Sequence, residues 1–155
     1  MVMKMDVGYK NSDVSFSLRS AALIIKNNKL LVAKNDNYDC FYTLGGGVNL
    51  SEASTEAVIR ECLEETGYDF EIDRLAFIQE RFYTLKNCLH LEVVFFYLMK
   101  KIDVDIKDGT ATDHQCEHLY WIAINELKKT NLVPAFLKTA LKSMPKETVH
   151  IVSYE

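Results

Sequence analysis

The chain has 155 residues, of which 48% are hydrophobic and 26% are charged, and its formal net charge is −4 at pH 7. This composition is that of an ordinary globular protein, and the length predicts one domain over residues 1–155. The negative charge argues against a protein that binds duplex nucleic acid, because such proteins are usually basic. No apolar run approaches the roughly 20 residues of a membrane span, so we expect no membrane partner.

The cysteines are far apart in the sequence, at Cys40, Cys62, Cys88 and Cys116. No two of them have the close spacing of a zinc site. The chain opens without the apolar region of a secretory signal peptide. We therefore expect free, mostly buried thiols and a cytoplasmic location, where thiols are kept reduced.

The first part of the chain predicts a hairpin that follows a loosely structured segment. Residues 1–17 are rich in turn-forming residues, which is typical of loose structure or a short edge strand. Residues 18–33 contain two β-favouring runs on either side of Asn27-Asn28. Asparagine tolerates the positive φ that a tight turn requires, so these two residues are the predicted turn. A polar loop then leads to a short predicted strand over residues 42–44.

Residues 45–68 predict a glycine-rich loop followed by a helix. Ser51 is the predicted N-cap, because its hydroxyl can accept a hydrogen bond from a free amide of the first turn, and Asn49 is the alternative. Apolar residues recur along the segment at spacings of three to five, which predicts one buried stripe. Gly67 is the predicted residue at which the helix ends.

Three glutamates of this helix, Glu61, Glu64 and Glu65, share one face because they are three and four positions apart. Carboxylates packed this closely repel one another, and Arg60 can offset only part of the repulsion. Mg²⁺ prefers oxygen ligands, so a divalent cation would convert the repulsion into binding. On spacing alone, a solvent-exposed acidic face is an equally good interpretation.

Two long strands are predicted after the helix, over residues 70–84 with a break near Asp73, and over residues 89–99. The second is rich in β-branched and aromatic residues with little alternation, which predicts a central strand buried on both faces. Glu92 is unusual there, since a carboxylate in such a run is costly unless it is paired or bound to a cation. We interpret it either as a partner of Arg81 or Lys100, or as part of a metal or substrate site.

The last third of the chain begins with a polar loop over residues 103–116, and loops of this length are often functional. A strand over residues 118–122 follows, and then a short helix for which Asn125 is the predicted cap. The last helix is predicted to begin at Pro134, because proline suits the first turn. The tail, residues 147–154, is predicted to be an edge strand that could pair with another subunit, which makes a homodimer possible.

The segment around the acidic helix resembles the Nudix box, whose pattern has seven fixed positions. The chain has all seven fixed residues, which are Gly46, Glu52, Arg60, Glu61, Glu64, Glu65 and Gly67. Three departures lie at the edges of the box. Leu44 stands where the family often has proline, Ser51 where many members have glycine, and Phe41 at the place of a frequent tryptophan. The order of predicted elements is similar to the family, of the MutT-like kind, along nearly the whole chain.

The resemblance implies an α/β (α+β) fold, an α/β/α sandwich with a mixed β-sheet, the box helix on one side and the C-terminal helix on the other. It also implies an enzyme that hydrolyses a pyrophosphate bond in a nucleoside diphosphate linked to another group, with Mg²⁺ or Mn²⁺ as cofactor. The alternative is a Nudix-like module that senses a nucleotide without cleaving it. Such modules commonly lose a box glutamate, whereas this chain keeps all of them.

Roles for the box residues follow from the same resemblance. Glu64 and Glu65 would be the main metal ligands, and Glu61 would be a ligand or the base that activates water. The backbone around Gly45 and Gly46 would complete the metal site. Arg60 would orient the glutamates, and Glu52 would support the cluster without touching the metal.

Candidate substrate contacts outside the box are Arg19, Arg81, Tyr83, Glu92, Asp113 and Glu117. Arg19 stands near a frequent Nudix arginine and would face a phosphate, although a surface arginine is the alternative. Tyr83 lies close to the tyrosine of members that act on diadenosine polyphosphates, and the proline of the ADP-ribose branch is missing. Asp113 and Glu117 are both candidates for the acid that members often place before the strand around Trp121. Nucleoside triphosphates or dinucleoside polyphosphates are therefore the favoured substrates.

Overall fold

The computed structural model describes residues 4–155, so the first three residues of the predicted loose N-terminal segment lie outside the described part. The strands of the described part, numbered in chain order, are β1 (Gly8–Lys10), β2 (Val14–Leu23), β3 (Ile25–Lys26), β4 (Lys29–Asn35), β5 (Phe41–Tyr42), β6 (Gly45–Gly47), β7 (Ile72–Leu85), β8 (Cys88–Met99), β9 (Thr110–Ala111), β10 (Glu117–Ala123), β11 (Leu132–Val133) and β12 (Val149–Tyr154). The helices are α1 (Ser54–Thr66) and α2 (Leu137–Ala140), with 3-10 turns at Ile124–Lys129 and Leu141–Ser143.

These strands form two mixed sheets of six strands each. The first has the order β1-β2-β8-β7-β12, with β6 also paired to β2, and its β2–β8 and β7–β12 pairs are parallel. The second has the order β11-β5-β4-β10-β9, with β3 paired to β4. The predicted α+β class with mixed strand directions is confirmed, but the prediction of one sheet is wrong. The chain passes from the first sheet to the second at Ile24, between β2 and β3. The sequence is continuously apolar there, so its pattern does not indicate the change of sheet.

Two hydrophobic clusters fill the interior, and neighbouring residues of one strand alternate between them. Leu30 and Val32 of β4 belong to the cluster that contains Leu137 of α2, whereas Leu31 belongs to the cluster that contains Val58 of α1. Because successive side chains of a strand point to opposite faces, the two clusters lie on opposite sides of the strands. The box helix and the C-terminal helix therefore pack on opposite sides, as predicted.

Two tight turns join strands that are consecutive in sequence and pair antiparallel, β3 with β4 and β7 with β8. Asn27 and Asn28 have φ values of 51° and 59°, which confirms the predicted turn between β3 and β4. The same arrangement recurs at Lys86 and Asn87, with φ values of 49° and 63°, and it joins β7 to β8. The register of β7 shifts between Ile72 and Arg74, so the predicted break near Asp73 is an irregularity within one strand.

Strand β8 lies between β2 and β7 and is central, as predicted, but it is buried on both faces only in its second half. Phe96 and Tyr97 are buried and belong to the two different clusters. Leu89, near the start of the strand, is 49% exposed. Helix α1 contacts the second half, where the Ser54 hydroxyl lies 2.7 Å from the Tyr97 hydroxyl.

The predicted N-cap of the box helix is wrong, whereas its predicted end is confirmed. The helix begins after Ala53, whose amide donates to the Glu56 carboxylate at 2.7 Å. Ser51 instead lies in a turn in which the Glu52 amide donates to the carbonyl of Asn49. Gly67 has a φ of 77° and its amide donates to the carbonyl of Leu63.

Two further predictions for the C-terminal third are wrong in detail. Asn125 lies inside the 3-10 turn that begins at Ile124, and so it does not cap a helix. Pro134 follows β11 through a cis peptide bond, and α2 begins three residues later. The reason is that β11 pairs with β5, which holds the residues before Pro134 extended. The tail forms the predicted edge strand, β12, and its pairing with another subunit stays a prediction.

All four cysteines are free, but the prediction of mostly buried thiols holds only for Cys62 and Cys88. Cys40 is half-buried, and Cys116 is exposed in the loop before β10. Among residues 4–155, no helix is long and apolar enough to cross a membrane.

Candidate active site

The glycine run forms strand β6, which pairs antiparallel with β2 so that Gly46 lies opposite Ser20. The strand predicted over residues 42–44 is wrong, because β5 ends at Tyr42 and β6 begins at Gly45. A Cβ atom on Gly46 would lie 2.4 Å from Oε1 of Glu61, a distance that no real side chain tolerates. The Glu61 carboxylate of α1 therefore approaches the main chain of β6 directly, and a side chain at Gly46 would displace it.

Helix α1 and the loop before β10 bring three possible metal ligands together. Ligand atoms of Glu61, Glu65 and His114 all lie within 4.8 Å of one another. Glu61 is 7% exposed and Glu65 is 4% exposed, and Glu65 accepts a hydrogen bond from the Gly45 amide at 3.1 Å. The sequence prediction missed His114. The only signal for it was its place in the polar loop over residues 103–116, next to Asp113.

The electrostatics of this cluster favour a cation. Burial, together with the charges of Glu117 and Glu61, raises the pKa of Glu65 to about 9. A carboxylate becomes this hard to ionise when it is removed from water and placed beside other carboxylates. The two buried carboxylates offer the oxygen ligands that a hard divalent cation prefers, and such a cation would neutralise their charge.

Glu117, whose charge acts on Glu65, is held in place by two hydroxyl groups. The Tyr42 hydroxyl donates to Oε2 of Glu117 at 2.5 Å, and the Thr112 hydroxyl donates to Oε1 at 2.9 Å. Burial and the neighbouring Glu117 charge raise the pKa of Tyr42 far above its usual range, so the phenol keeps its proton and remains a donor. Of the two candidate acids before β10, Glu117 lines the cleft described below. Asp113 instead contacts His114, with its Oδ1 at 3.7 Å from Nε2 of that residue.

Arg60 connects the box acids to one another. Its guanidinium donates to Glu61 at 2.6 Å, to Glu52 at 2.6 and 3.1 Å, and to the Gly47 carbonyl at 3.2 Å. Its contact with Glu64 is weaker, at 3.4 Å. Arg60 therefore lies where the sequence prediction expects an orienting residue.

Glu64 is placed differently from Glu61 and Glu65. Its side chain is 33% exposed, and its carboxylate lies between Arg60 and Lys4, whose Nζ is 3.8 Å away. It shares the helix face of the other two glutamates but is not one of the three ligand groups that the structure brings within 4.8 Å. Its role as a main ligand stays a prediction.

Glu52 is fixed by four hydrogen bonds from two residues. The backbone amide and side-chain amide of Asn49 donate to Oε1 at 3.0 and 2.8 Å, and Arg60 supplies the other two. The Arg60 guanidinium lowers the pKa of Glu52 to about 2, with the Asn49 amides contributing in the same direction. Glu52 thus ties the turn before α1 to the arginine that holds Glu61.

The cluster opens into a cleft of about 840 Å³. Most predicted substrate contacts line this cleft, namely Arg19, Arg81, Tyr83, Glu92 and Glu117. Asp113 is not among the lining residues. Within the described range, Arg19 makes no ion pair, so its guanidinium is free to meet an anion.

Glu92 is both ion-paired and part of the cleft, so the two interpretations offered for it are compatible. It accepts hydrogen bonds from Arg81 at 3.3 Å and from the Tyr83 hydroxyl at 3.1 Å. The alternative partner, Lys100, pairs with Glu71 instead. Burial and the Glu92 charge raise the pKa of Tyr83 to about 12, so its hydroxyl remains a donor.

Known proteins of similar sequence and fold show to which family the chain belongs. A family model described as NUDIX domain matches residues 17–142. The m7GpppN-mRNA hydrolase dcap-2 of Caenorhabditis elegans is 30% identical over 95 residues, which are 60% of this chain. The chain spans only 12% of the length of that relative.

Solved structures that share the fold include bacterial MutT and Nudix proteins. A MutT protein from Bacillus halodurans has a TM-score of 0.69 and 16% identity, with 86% of this chain and 89% of that chain covered. A MutT NUDIX hydrolase from Burkholderia pseudomallei has a TM-score of 0.62 and 21% identity, with coverages of 84% and 98%. An ADP-ribose pyrophosphatase from Streptococcus suis has a TM-score of 0.58 and 16% identity, with coverages of 88% and 98%. Since the family model covers most of the chain and the fold agrees, the chain belongs to the Nudix hydrolase family.

Proposed function

We propose that the chain hydrolyses a pyrophosphate bond in a nucleoside diphosphate linked to another group, with Mg²⁺ or Mn²⁺ as cofactor. The observation that carries this proposal is the buried pair Glu61 and Glu65, which faces glycine strand β6 at the edge of a cleft of about 840 Å³. The family membership supports the reaction class. The proteins of similar fold include one named for ADP-ribose, and a relative is named for capped mRNA. This variety supports a nucleotide derivative as the substrate.

The residues proposed to hold the cation are Glu61 and Glu65, with His114 within reach and Glu64 on the same helix face. When bound, the cation would neutralise phosphate charge and lower the pKa of a coordinated water molecule. The Gly45 amide keeps Glu65 against β6, and the missing side chain at Gly46 leaves room for the Glu61 carboxylate. Arg60 keeps the Glu61 carboxylate in place at 2.6 Å.

In the proposed reaction a water oxygen forms a bond to one phosphorus atom of the pyrophosphate. The bond from that phosphorus to the bridging oxygen breaks, and the departing phosphate takes the electron pair. The proton of the water passes to a carboxylate, for which Glu61 is the first candidate and Glu64 the second. Arg19, which has no ion-pair partner among the described residues and lines the cleft, would hold a phosphate away from the cluster.

The first substrates to test are nucleoside triphosphates and dinucleoside polyphosphates, beside ADP-ribose and nucleotide sugars. We would separate the products by chromatography and measure nucleotide product formation with Mg²⁺ and with Mn²⁺ for the wild type, Glu65→Gln and the matched control Glu71→Gln. Glu71 is exposed and pairs with Lys100 outside the cleft. We expect turnover of one class that depends on metal, survives in Glu71→Gln and is lost in Glu65→Gln. Equal turnover in all three proteins would contradict the assignment of the site.

The second proposed function is that of a nucleotide-sensing module, in which the cluster binds a metal ion and a nucleotide but hydrolyses nothing. It predicts no turnover of any substrate in the panel, together with a nucleotide-dependent rise in melting temperature. Retention of all box glutamates favours the enzyme.

We also propose a single cytoplasmic domain that is able to form a homodimer. The free cysteines support a reducing compartment. Strand β12 pairs with β7 on one side, and its other side has no partner strand in the described chain, so a second copy could pair there. The mass in solution would test the dimer.

A further inference from the structure

Gln79 is a buried amide of β7 that lines the cleft and is incompletely hydrogen-bonded. The residue is 0% exposed, and its side-chain nitrogen donates to the Ser153 hydroxyl of β12 at 2.9 Å. Its carbonyl oxygen is buried and has no hydrogen-bond partner among residues 4–155. Buried polar groups are almost always hydrogen-bonded, so a buried acceptor in a cleft wall points to a ligand that completes it.

The surroundings of Gln79 show what kind of ligand group belongs there. Val94 lies opposite Gln79 on β8, and both Val94 and Phe96 line the cleft, so the neighbouring wall is apolar. Arg81 follows Gln79 by two residues on β7. Its guanidinium nitrogens lie 3.3 Å from the Glu92 carboxylate and 2.8 Å from the Glu155 carboxylate. Its charge is therefore already compensated. A phosphate offers only acceptors and negative charge, so it cannot donate to the unpartnered carbonyl oxygen of Gln79, and the charge of Arg81 is already paired.

We propose that Gln79 is a specificity-determining residue that accepts a hydrogen bond from an exocyclic amino group on the base of the substrate. The inference rests on the proposed function in that it takes the substrate to be a nucleotide. A nucleobase is planar, largely apolar on its faces and carries N–H groups on its edge, which fits an apolar wall with one buried acceptor. The phosphates of the same molecule would then extend toward Arg19 and the Glu61–Glu65 cluster.

The C-terminal strand β12 holds Gln79 and Arg81 in place, and we propose no contact between this strand and the substrate. Ser153 fixes the amide of Gln79, and Glu155 fixes the guanidinium of Arg81. Both are therefore positioning residues. Loss of the Ser153 hydroxyl would free the amide to rotate, so it would weaken discrimination between bases without changing the chemistry at the glutamates.

The test compares nucleotides that differ by one exocyclic amino group: GMP with IMP, CMP with pyrimidin-2-one riboside monophosphate, and AMP with purine riboside monophosphate. Their dissociation constants would be measured by calorimetry for the wild type, Gln79→Met and the control Glu80→Gln. Glu80 lies on the opposite face of β7 and pairs with His150. One hydrogen bond to a buried acceptor should make the amino-bearing member of at least one pair bind about tenfold more tightly. We expect this preference in the wild type and control, and its loss in Gln79→Met.

Equal binding within every pair, or a preference for the members without the amino group, would overturn the proposal. So would a preference that survives in Gln79→Met. Ser153→Ala provides a milder variant in case Gln79→Met does not fold, and it should reduce the preference, raise KM and leave kcat unchanged. A preference in binding without any hydrolysis would contradict the proposed function alone. Hydrolysis without any preference would contradict this inference alone.

Discussion

The substitution Glu52→Gln tests the hydrogen-bonded network around Arg60 through its dependence on pH. The Arg60 guanidinium lowers the pKa of Glu52 to about 2 in the folded protein, against 4.5 for a glutamate side chain in water. This difference corresponds to about 3 kcal/mol at about 1.36 kcal/mol per pKa unit. The side chain of Arg60 is 24% exposed, so solvent screening should reduce the contribution to about 1–2 kcal/mol at pH 7.

The sign of the pH dependence follows from the lowered pKa. The stabilisation by Glu52 is fully present above the unfolded-state value of 4.5 and is lost as the pH falls toward about 2. We would measure urea unfolding of the wild type and Glu52→Gln at pH 7 and pH 3, following the fluorescence of Trp121. The difference in unfolding free energy between the two proteins should fall by more than half at pH 3. A difference that is the same at both pH values would refute the argument.

Two more predictions concern single contacts in the site. Gly46→Ala would place a Cβ atom 2.4 Å from the Glu61 carboxylate and displace it, so we expect a loss of activity of about 100-fold with an unchanged circular dichroism spectrum. Wild-type activity in this variant would show that the close approach is unimportant. Tyr42→Phe removes the 2.5 Å hydrogen bond to buried Glu117 and should cost about 1–3 kcal/mol in urea unfolding. The control Tyr154→Phe, at a position that is 80% exposed, should change stability by less than about 0.5 kcal/mol, and equal effects in both variants would contradict the prediction.

The acidic helix could be predicted from sequence because its candidate metal ligands lie within a few turns of one helix. Glu61 and Glu65 are four residues apart, and helical spacing alone places them on one face. His114 and Gln79 could not be found in this way. They come from a loop and a strand far along the chain, and only the tertiary fold brings them to the cleft. Ser153 shows the same limit, since its role depends on the parallel pairing of β12 with β7.

The fold could be predicted as far as local patterns determine it. The turn at Asn27-Asn28 and the helix end at Gly67 depend on backbone angles that few residues tolerate. The division into two sheets could not be predicted, because the run through Ile24 is apolar on both sides of the break. Pro134 was misleading for a similar reason, since the pairing of β11 with β5 outweighs its preference for the first turn of a helix. The single-domain organisation stays a prediction.

The central claim is that the cluster on α1 binds a divalent cation that hydrolysis requires. The most direct measurement is the rate of hydrolysis of the best nucleotide substrate against free Mg²⁺, for the wild type and Glu65→Gln. The account predicts no activity in EDTA, recovery with Mg²⁺ or Mn²⁺, and a loss of roughly 100-fold or more in Glu65→Gln. Hydrolysis that persists in EDTA, or a Glu65→Gln protein with the metal dependence of the wild type, would contradict it.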